Sequence, residues 1–190
     1  LKPTLFFEFH GTEAWVKEQA EMVKEISSDE GGSDFQWETR EQERQKLWEA
    51  RHNAYYASLA LRPGSKGWPT DVCVPISELA KAITDTQHDL EKFNVIGAII
   101  GHVGDGNFHT LMFSDPNDPE DLELNQMIAD RMAKRALEVG GTITGEHGIG
   151  LAKKKYLKEQ FQDHSYELLK LVKRSFDPNN LLNPGKIFDA

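Results

Sequence analysis

The sequence has a single cysteine, Cys73, among its 190 residues, and it has no long apolar run. One thiol excludes an internal disulfide and any zinc site built from several cysteines. No segment approaches the roughly twenty apolar residues that a membrane-spanning helix needs, so no transmembrane segment is predicted. Basic residues are also scarce, since 22 Lys and Arg stand against 31 Asp and Glu and leave a net charge of −9. This balance disfavours a nucleic-acid partner, because phosphate binding needs a basic face.

What is present is an ordinary globular composition, with 38% hydrophobic and 28% charged residues. The length suits one α+β domain with a real core, which we assign to residues 1–190. The chain begins at Leu1, inside an apolar run, and we therefore expect it to be a piece of a longer protein. Cys73 lies in a short β-like run, which predicts a core position. The lysines at 153–155 and 158 predict a solvated helix face.

Hydrophobic periodicity and turn signals predict strands and helices along the whole chain. Strands are predicted at residues 4–9, 34–39, 71–75 and 95–100. Helices are predicted after Gly11-Thr12, over 40–61, from a cap at Ser77, from Asp118-Pro119, and over a last segment before Asp177-Pro178. This pattern indicates an α+β fold with a ferredoxin-like antiparallel sheet, helices on one face and a C-terminal helical segment over 151–190.

The segment 101–110 reads Gly-His-Val-Gly-Asp-Gly-Asn-Phe-His-Thr and joins two apolar runs. Asp-Gly between such runs predicts a β-hairpin with a type I′ turn, which needs positive φ at both central positions. If Asp105 and Gly106 are those two residues, His102 pairs with His109, and their Cβ atoms lie about 5 Å apart on one face. Two imidazoles so placed can bind one divalent metal ion. The alternative is a pair of partly exposed hairpin histidines.

A second glycine-rich segment, Gly145-Glu146-His147-Gly148-Ile149-Gly150, follows a short β-like run. Its glycines let the backbone approach a ligand closely. Glu146 completes a possible set of two histidines and one carboxylate, which leaves coordination positions open for a substrate. His147 then stands beside the metal as a group that titrates near neutral pH. The alternative is a glycine-rich turn with an exposed acid and histidine, whereas a dinucleotide-binding fingerprint is not matched.

Three segments in combination resemble one known family. They are the motif at 101–109, the Gly-Glu-His-Gly-Ile-Gly motif at 145–150, and Asp-Pro-Asn-Asn-Leu-Leu-Asn-Pro-Gly-Lys-Ile-Phe at 177–188. The family is the FAD-linked oxidases of the vanillyl-alcohol oxidase fold, in the branch with D-lactate dehydrogenase, glycolate oxidase and D-2-hydroxyglutarate dehydrogenase. The run at 61–75 is most similar to mitochondrial-type D-lactate dehydrogenases. The resemblance extends over essentially the whole chain and implies the C-terminal part of such an enzyme, with the FAD-binding half upstream.

The resemblance implies roles for individual residues. The metal ligands are His102, His109 and Glu146, for a divalent ion such as zinc or manganese, with iron also admitted by the ligand set. His147 matches the general base. Arg51 matches an arginine that holds the substrate carboxylate, a role that suits a planar guanidinium better than an ammonium group. Without the family, Arg51 is a charge on a helix surface.

Other assignments from the resemblance are open. Some relatives carry a lysine just before the strand at 71–75, where this chain has Pro69-Thr70, and either Lys66 or Tyr55 is a candidate to replace it. Asn107 is a second candidate for substrate binding, although a turn position explains an asparagine equally well. Asn183, with Lys186 beside it, is a candidate to approach the flavin or is a structural ending of the fold.

The function implied is that of an FAD-dependent, metal-assisted D-2-hydroxyacid dehydrogenase, which oxidises D-lactate or a similar 2-hydroxy acid to the 2-oxo acid. Its partners are the substrate, its own FAD-binding domain and an electron acceptor that the sequence does not indicate. The location implied is mitochondrial in a eukaryote and cytoplasmic in a bacterium. The fragment alone is expected to be inactive. Three alternatives remain: glycolate or D-2-hydroxyglutarate as substrate, a stand-alone metal-binding or regulatory module, and a metal-dependent hydrolase.

Overall fold

The computed structural model describes residues 2–189. Its helices are α1 (Glu13–Asp29), α2 (Glu41–His52), α3 (Ala54–Leu59), α4 (Ile76–Lys92), α5 (Pro119–Glu138) and α6 (Lys154–Phe176). Its strands are β1 (Lys66–Pro69), β2 (Val72–Cys73), β3 (Gly97–His102) and β4 (Asn107–Ser114). The predicted α+β class is confirmed. The chain divides into two compact units, residues up to 57 and residues from 58 onward, and the single domain over 1–190 stays a prediction.

The first unit differs from the sequence prediction in its extended segments. Residues 4–9 and 34–39 form no strand, so the two strands predicted there are wrong. The aromatic side chains of the first segment pack on rings instead, with Phe6 against Trp48 of α2 and Phe7 stacked on Phe9. An extended run needs a hydrogen-bonded neighbour to become a strand, and the aromatic pattern alone does not supply one.

Two of the predicted helix starts, at Thr12 and Asp118, are confirmed, and two other predicted helices differ from the observed ones. The side chain of Thr12 caps α1, and that of Asp118 caps α5 by accepting from the N–H of Glu120. The helix predicted over 40–61 is interrupted at Asn53, between α2 and α3. The predicted cap at Ser77 is wrong, because α4 begins at Ile76 and the carbonyl of Pro75 accepts the first helical hydrogen bond.

The sheet of the second unit is antiparallel and is organised around β4, in which every residue is buried. β3 pairs with one side of β4, whereas β1 and β2 pair with the other. The pairs Pro69↔Leu111 and Val72↔Phe108 have the same register, so β1 and β2 form one edge that is interrupted at residues 70 and 71.

The core lies on one face of this sheet. Phe108 and Met112 of β4 pack there with side chains from α4 and α5, including Leu79, Ile128 and Met132. Side chains alternate along a strand, so the odd-numbered residues of β4 point away from the face that carries Phe108 and Met112. The opposite face of β4 therefore carries residues 107 and 109, and it is the face on which the candidate site is built.

Candidate active site

The β3–β4 hairpin brings the two predicted ligand histidines to one face of the sheet, with a register that differs from the prediction. His102 pairs with Asn107, and Ile100 pairs with His109, so the predicted pairing of His102 with His109 is wrong. The reason is the turn: residues 103–105 form a 3-10 helix, and Gly106 follows in the left-handed region at φ 77°. The register is shifted by two residues, which preserves the face of every side chain. The two imidazole centroids lie 6.2 Å apart.

The segment after Ile143 places Glu146 against both histidines. Glu146 Oε1 lies 2.8 Å from His109 Nε2 and 3.9 Å from His102 Nε2. One ligand atom from each of these residues lies within 4.8 Å of the others. His147 stacks on His109 with a centroid distance of 4.6 Å, and its Nε2 lies 3.8 Å from Glu146 Oε1. The structure thus brings together four predicted site residues, while their roles as ligands and base stay predictions.

His109 is held in the state that a metal ligand needs. Its Nδ1 lies 3.2 Å from the carbonyl oxygen of Thr70, which only accepts, so a hydrogen bond there places the proton on Nδ1. The lone pair of Nε2 then faces Glu146. Burial lowers the pKa of His109, and the neighbouring His147 adds to this, against opposing effects of Asp71, Thr70 and Glu146. The neutral imidazole, which is the coordinating form, is therefore favoured.

The donor set fits a cation. His109 Nε2 is a buried atom without a hydrogen-bond partner among residues 2–189, although Glu146 Oε1 is only 2.8 Å away. A lone pair and a carboxylate oxygen at this distance are both acceptors, and a cation placed near them satisfies both. Two imidazole nitrogens and one carboxylate form a set that zinc, manganese and iron all accept.

Asp71 is a site residue that the sequence reasoning missed. It was assigned to a strand, yet its carboxylate has no exposed surface and accepts hydrogen bonds from the Gly145–His147 segment. Burial alone raises the pKa of Asp71, but hydrogen bonds from Thr144 and the His147 N–H, together with Lys153, lower it below its usual range. The available signal was an acid within an otherwise apolar β-like run.

The prediction of a solvated lysine face at 153–155 is wrong for Lys153. Its side chain is 19% exposed, and its ammonium group donates to the backbone carbonyl of Asp71 at 2.6 Å, with a second contact of 3.3 Å to Asp71 Oδ2. Lys155 binds Asp130 of α5, and Lys154 pairs with Asp189. A lysine cluster predicts exposure only when no buried acid lies within reach, and the sequence does not show that distance.

A cleft of about 470 Å³ opens beside this cluster, lined by Cys73, His102, Asp105, Asn107, Gly145 and Glu146. Asn107 is buried, and its Oδ1 has no hydrogen-bond partner in the described part of the chain. A Cβ on Gly145 would lie 2.5 Å from Asn107 Cγ, so this close approach requires glycine. Cys73 is half-buried rather than in the core, and its thiol donates to the carbonyl of Asp105 at 3.2 Å. The geometry therefore leaves an acceptor, Asn107 Oδ1, at the cleft.

The remaining predicted site residues are not brought into this cluster by any described contact. Arg51 is in the last turn of α2, in the first unit. Lys66 pairs with Ser114, five residues along β4 from His109, which corresponds to about 17 Å of strand and to the other face of the sheet. Asn183 is exposed after α6, where its carbonyl accepts from the N–H of Lys186. Their roles stay predictions.

The family described as "FAD linked oxidases, C-terminal domain" matches residues 2–187. The chain belongs to this family. A match over nearly the full length agrees with the resemblance inferred from the three motifs. Within this C-terminal domain, the clustered histidines and Glu146 come from two of those motifs, and the described helices include none that is long and apolar enough to cross a membrane.

Relatives of this FAD-linked oxidase domain carry two kinds of name. "Probable D-lactate dehydrogenase, mitochondrial" of Danio rerio is 51% identical over 98% of the chain and 38% of its own length. "D-lactate dehydrogenase [cytochrome], mitochondrial" of Arabidopsis thaliana is 40% identical over 97% of the chain and 33% of its length. "Glycolate oxidase subunit GlcD" of Bacillus subtilis is 33% identical over 98% of the chain and 39% of its own length. The chain therefore spans less than two fifths of these relatives.

Proposed function

We propose that this chain is the substrate- and metal-binding part of an FAD-dependent D-2-hydroxyacid dehydrogenase that oxidises D-lactate, or a similar acid, to the 2-oxo acid. The observation that carries the proposal is the cluster of His102, His109 and Glu146 with His147 stacked beside it, in a chain of the FAD-linked oxidase family. The names of the relatives at 51% and 40% identity support D-lactate as the substrate. Their names also support a mitochondrial location if the source is a eukaryote.

The cluster is proposed to hold one divalent cation through His102 Nε2, His109 Nε2 and Glu146 Oε1. The unpartnered, neutral Nε2 of His109 supports this, since it otherwise faces a carboxylate oxygen without a donor between them. Such a cation, when bound, supplies Lewis-acid polarisation of the substrate hydroxyl and carboxylate oxygens. Three protein ligands leave room for those substrate oxygens.

His147 is proposed as the general base. Its Nε2 points to the cluster, 3.8 Å from Glu146 Oε1, and the ring is held parallel to His109 at 8°. A substrate hydroxyl held at the cluster would lie near this nitrogen, which would accept the hydroxyl proton while the Cα hydrogen leaves as hydride to the flavin. General-base assistance of this kind is typically worth about 10²–10⁴ in rate. Asn107 is proposed to orient the substrate from the cleft, with Arg51 as a proposed carboxylate partner in the whole enzyme. Lys66 is not proposed for this role, because it pairs with Ser114, about 17 Å of strand from His109 and on the other face of the sheet.

The flavin is proposed to be bound mainly by a part of the protein outside this chain, and it supplies the acceptor for the hydride that leaves the substrate. The segment 151–190 is proposed to dock on that part, with Asn183 near the flavin. Exposed apolar side chains support this docking: Phe176, Leu181 and Leu182 are 83%, 75% and 63% exposed. The relatives are more than twice as long as this chain, which supports the existence of such a part.

The test is flavin reduction in the full-length protein. We expect anaerobic D-lactate to bleach the oxidised flavin absorbance, and prior removal of metal with a chelator to abolish the bleaching. Bleaching with glycolate or D-2-hydroxyglutarate, but not with D-lactate, would change the substrate and keep the mechanism; the relative named as a glycolate oxidase subunit makes glycolate the first of these to try. Absence of bleaching with every 2-hydroxy acid would contradict the proposal and favour a metal-binding module or a hydrolase.

A further inference from the structure

The edge strand of the sheet is interrupted at the point that faces the candidate site. Between Pro69↔Leu111 and Val72↔Phe108 the register places Asp71 opposite His109, but neither Thr70 nor Asp71 is a strand residue. The Thr70 hydroxyl oxygen replaces a backbone acceptor there and accepts from the N–H of Thr110 at 2.9 Å. The interruption leaves the Asp71 carboxylate inside the protein, with no exposed side-chain surface.

One oxygen of this carboxylate gathers the backbone of the Glu146 segment. Asp71 Oδ2 accepts from the N–H groups of Gly145, Glu146 and His147 at 2.9, 3.0 and 2.8 Å. The Thr144 hydroxyl donates to the same oxygen at 2.5 Å and accepts from the N–H of Gly148. Three consecutive amides that converge on one anion form a concave nest, whose shape is set by that anion. The backbone conformation of Glu146 and His147 is thus tied to Asp71.

The other carboxylate oxygen of Asp71, Oδ1, faces His109, the predicted ligand on β4. Asp71 Oδ1 has no hydrogen-bond partner among residues 2–189 and lies 3.6 Å from His109 Nδ1. Lys153 compensates the negative charge of Asp71 through its contacts with the backbone carbonyl and Oδ2 of that residue. A single buried carboxylate therefore touches both segments that supply the predicted ligands His109 and Glu146, which are 37 positions apart in the sequence.

We propose that Asp71 is the positioning residue of the metal site: it sets the distance and orientation between Glu146 and His109. A purely stabilising role explains this arrangement poorly, because a buried ion pair is often no more stabilising than apolar groups of the same volume. Groups of this kind behind metal ligands are typically worth about 10- to 100-fold in metal affinity. The inference rests on the proposed function, since it takes the cluster to be a metal site.

Two disruptive variants and one conservative control variant test this role in the full-length protein. Asp71→Asn keeps the shape but removes the charge and one acceptor, and Thr144→Val keeps the shape but removes the hydroxyl. We expect the dissociation constant for Mn²⁺, measured by calorimetry, to rise about 10- to 100-fold in Asp71→Asn and about 3- to 10-fold in Thr144→Val. Thr144→Ser retains the hydroxyl and is expected to bind Mn²⁺ within about twofold of the wild-type protein.

Amide hydrogen exchange supplies a readout that requires neither metal nor flavin. We expect the amides of residues 145–147 to exchange at least about tenfold faster in Asp71→Asn, because the anion that orders them is weakened. Thr84→Val, a hydroxyl-to-methyl change on the exposed surface of α4, controls for a general loss of stability. If Asp71→Asn does not fold, Thr144→Val and Thr144→Ser decide the question.

The outcomes separate this inference from the proposed function. Folded Asp71→Asn and Thr144→Val proteins with wild-type Mn²⁺ affinity and wild-type exchange would overturn the positioning role. A wild-type protein that binds no Mn²⁺, yet reduces its flavin with D-lactate after chelation, would also overturn it while leaving the dehydrogenase activity intact. Weakened Mn²⁺ binding in both variants, in a protein whose flavin no hydroxy acid reduces, would support the positioning role and contradict the dehydrogenase.

Discussion

At the scale of single residues, His109 and His147 have similar chemistry and different surroundings. The side chain of His109 is 9% exposed and is bonded at Nδ1, whereas that of His147 is 44% exposed and is held by stacking. A ligand must present a fixed lone pair, and a base must reach the substrate and exchange its proton. The environments therefore favour His109 as ligand and His147 as base, which agrees with the roles that the family resemblance implies.

Substitution of each histidine should separate binding from chemistry. We expect His147→Ala to lower turnover of D-lactate by about 10²–10⁴ while Mn²⁺ affinity changes less than about threefold. His109→Ala and His102→Ala should lose both metal and turnover, because each removes one of three ligands. Turnover is followed by flavin reduction, and metal by calorimetry.

His88→Ala is the matched control for these variants. His88 lies exposed on α4, outside the described cluster, and its replacement should leave both quantities unchanged. Normal turnover in His147→Ala would contradict its assignment as the general base. Normal metal affinity in His109→Ala would contradict the assignment of the cluster as the metal-binding site.

At the scale of elements, the β3–β4 turn determines where His102 lies relative to His109. Gly106 has φ 77°, and a Cβ on it would lie 2.0 Å from the carbonyl oxygen of Val74. The N–H of Val74 also donates a hydrogen bond to the carbonyl oxygen of Gly106 at 2.9 Å. Gly104, two residues earlier, has open space where its Cβ would be. The turn therefore offers a paired test at one tight and one open glycine.

We expect Gly106→Ala to lower the free energy of unfolding by at least about 2 kcal/mol, since it combines a left-handed backbone with a clash against a backbone carbonyl. Gly104→Ala should change it by less than about 1 kcal/mol. Urea unfolding followed by circular dichroism measures both. Equal losses in the two variants would show that the turn tolerates a Cβ at position 106 and that the register has another cause.

At the scale of the whole second unit, one buried acid links the two helices that cover the sheet. Asp89 of α4 has 1% of its side chain exposed and binds Arg131 and Arg135 of α5, with contacts of 2.8–2.9 Å and 2.5 Å. Burial raises the pKa of Asp89, but the hydrogen bonds from both arginines lower it further than burial raises it. The folded state therefore favours the ionised carboxylate more than the unfolded state does.

This difference predicts a pH dependence of stability. Because the folded-state pKa is lowered, the stabilisation is complete above the unfolded pKa of about 4 and is lost as the pH falls through the folded value. We expect Asp89→Asn to lower the free energy of unfolding at pH 7 by about 3 kcal/mol, with the difference from the wild-type protein shrinking below about pH 4. Urea unfolding at pH 7, 5 and 3 measures it.

Asp85→Asn serves as the control for this series. Asp85 pairs with Lys81 at the surface of the same helix, with the lysine side chain 72% exposed, so its loss should cost less than about 1 kcal/mol. A gap between the Asp89→Asn and wild-type proteins that stays constant from pH 7 to pH 3 would mean that the carboxylate charge of Asp89 does not stabilise the fold.

The sequence by itself determined the local features of this protein. Thr12 and Asp118 begin helices because their side chains satisfy free N–H groups next to them in the chain. Gly106 ends the hairpin loop because glycine tolerates the left-handed conformation found there, whereas the type I′ turn predicted for Asp105-Gly106 is wrong, since Asp105 belongs to a 3-10 helix. His102 and His109 share a face because side chains alternate along a strand. The predicted register is wrong by two residues, and a shift of two leaves every side chain on the same face.

Only the tertiary structure decided what depends on distance between remote segments. The extended aromatic runs of the first unit are not strands, and Lys153 is not at the surface, because pairing and burial depend on what lies nearby in space. Asp71 meets the amide groups of residues 145–147 more than 70 positions away. A buried charge is stable only where such donors converge, and no period or motif in the sequence encodes that convergence.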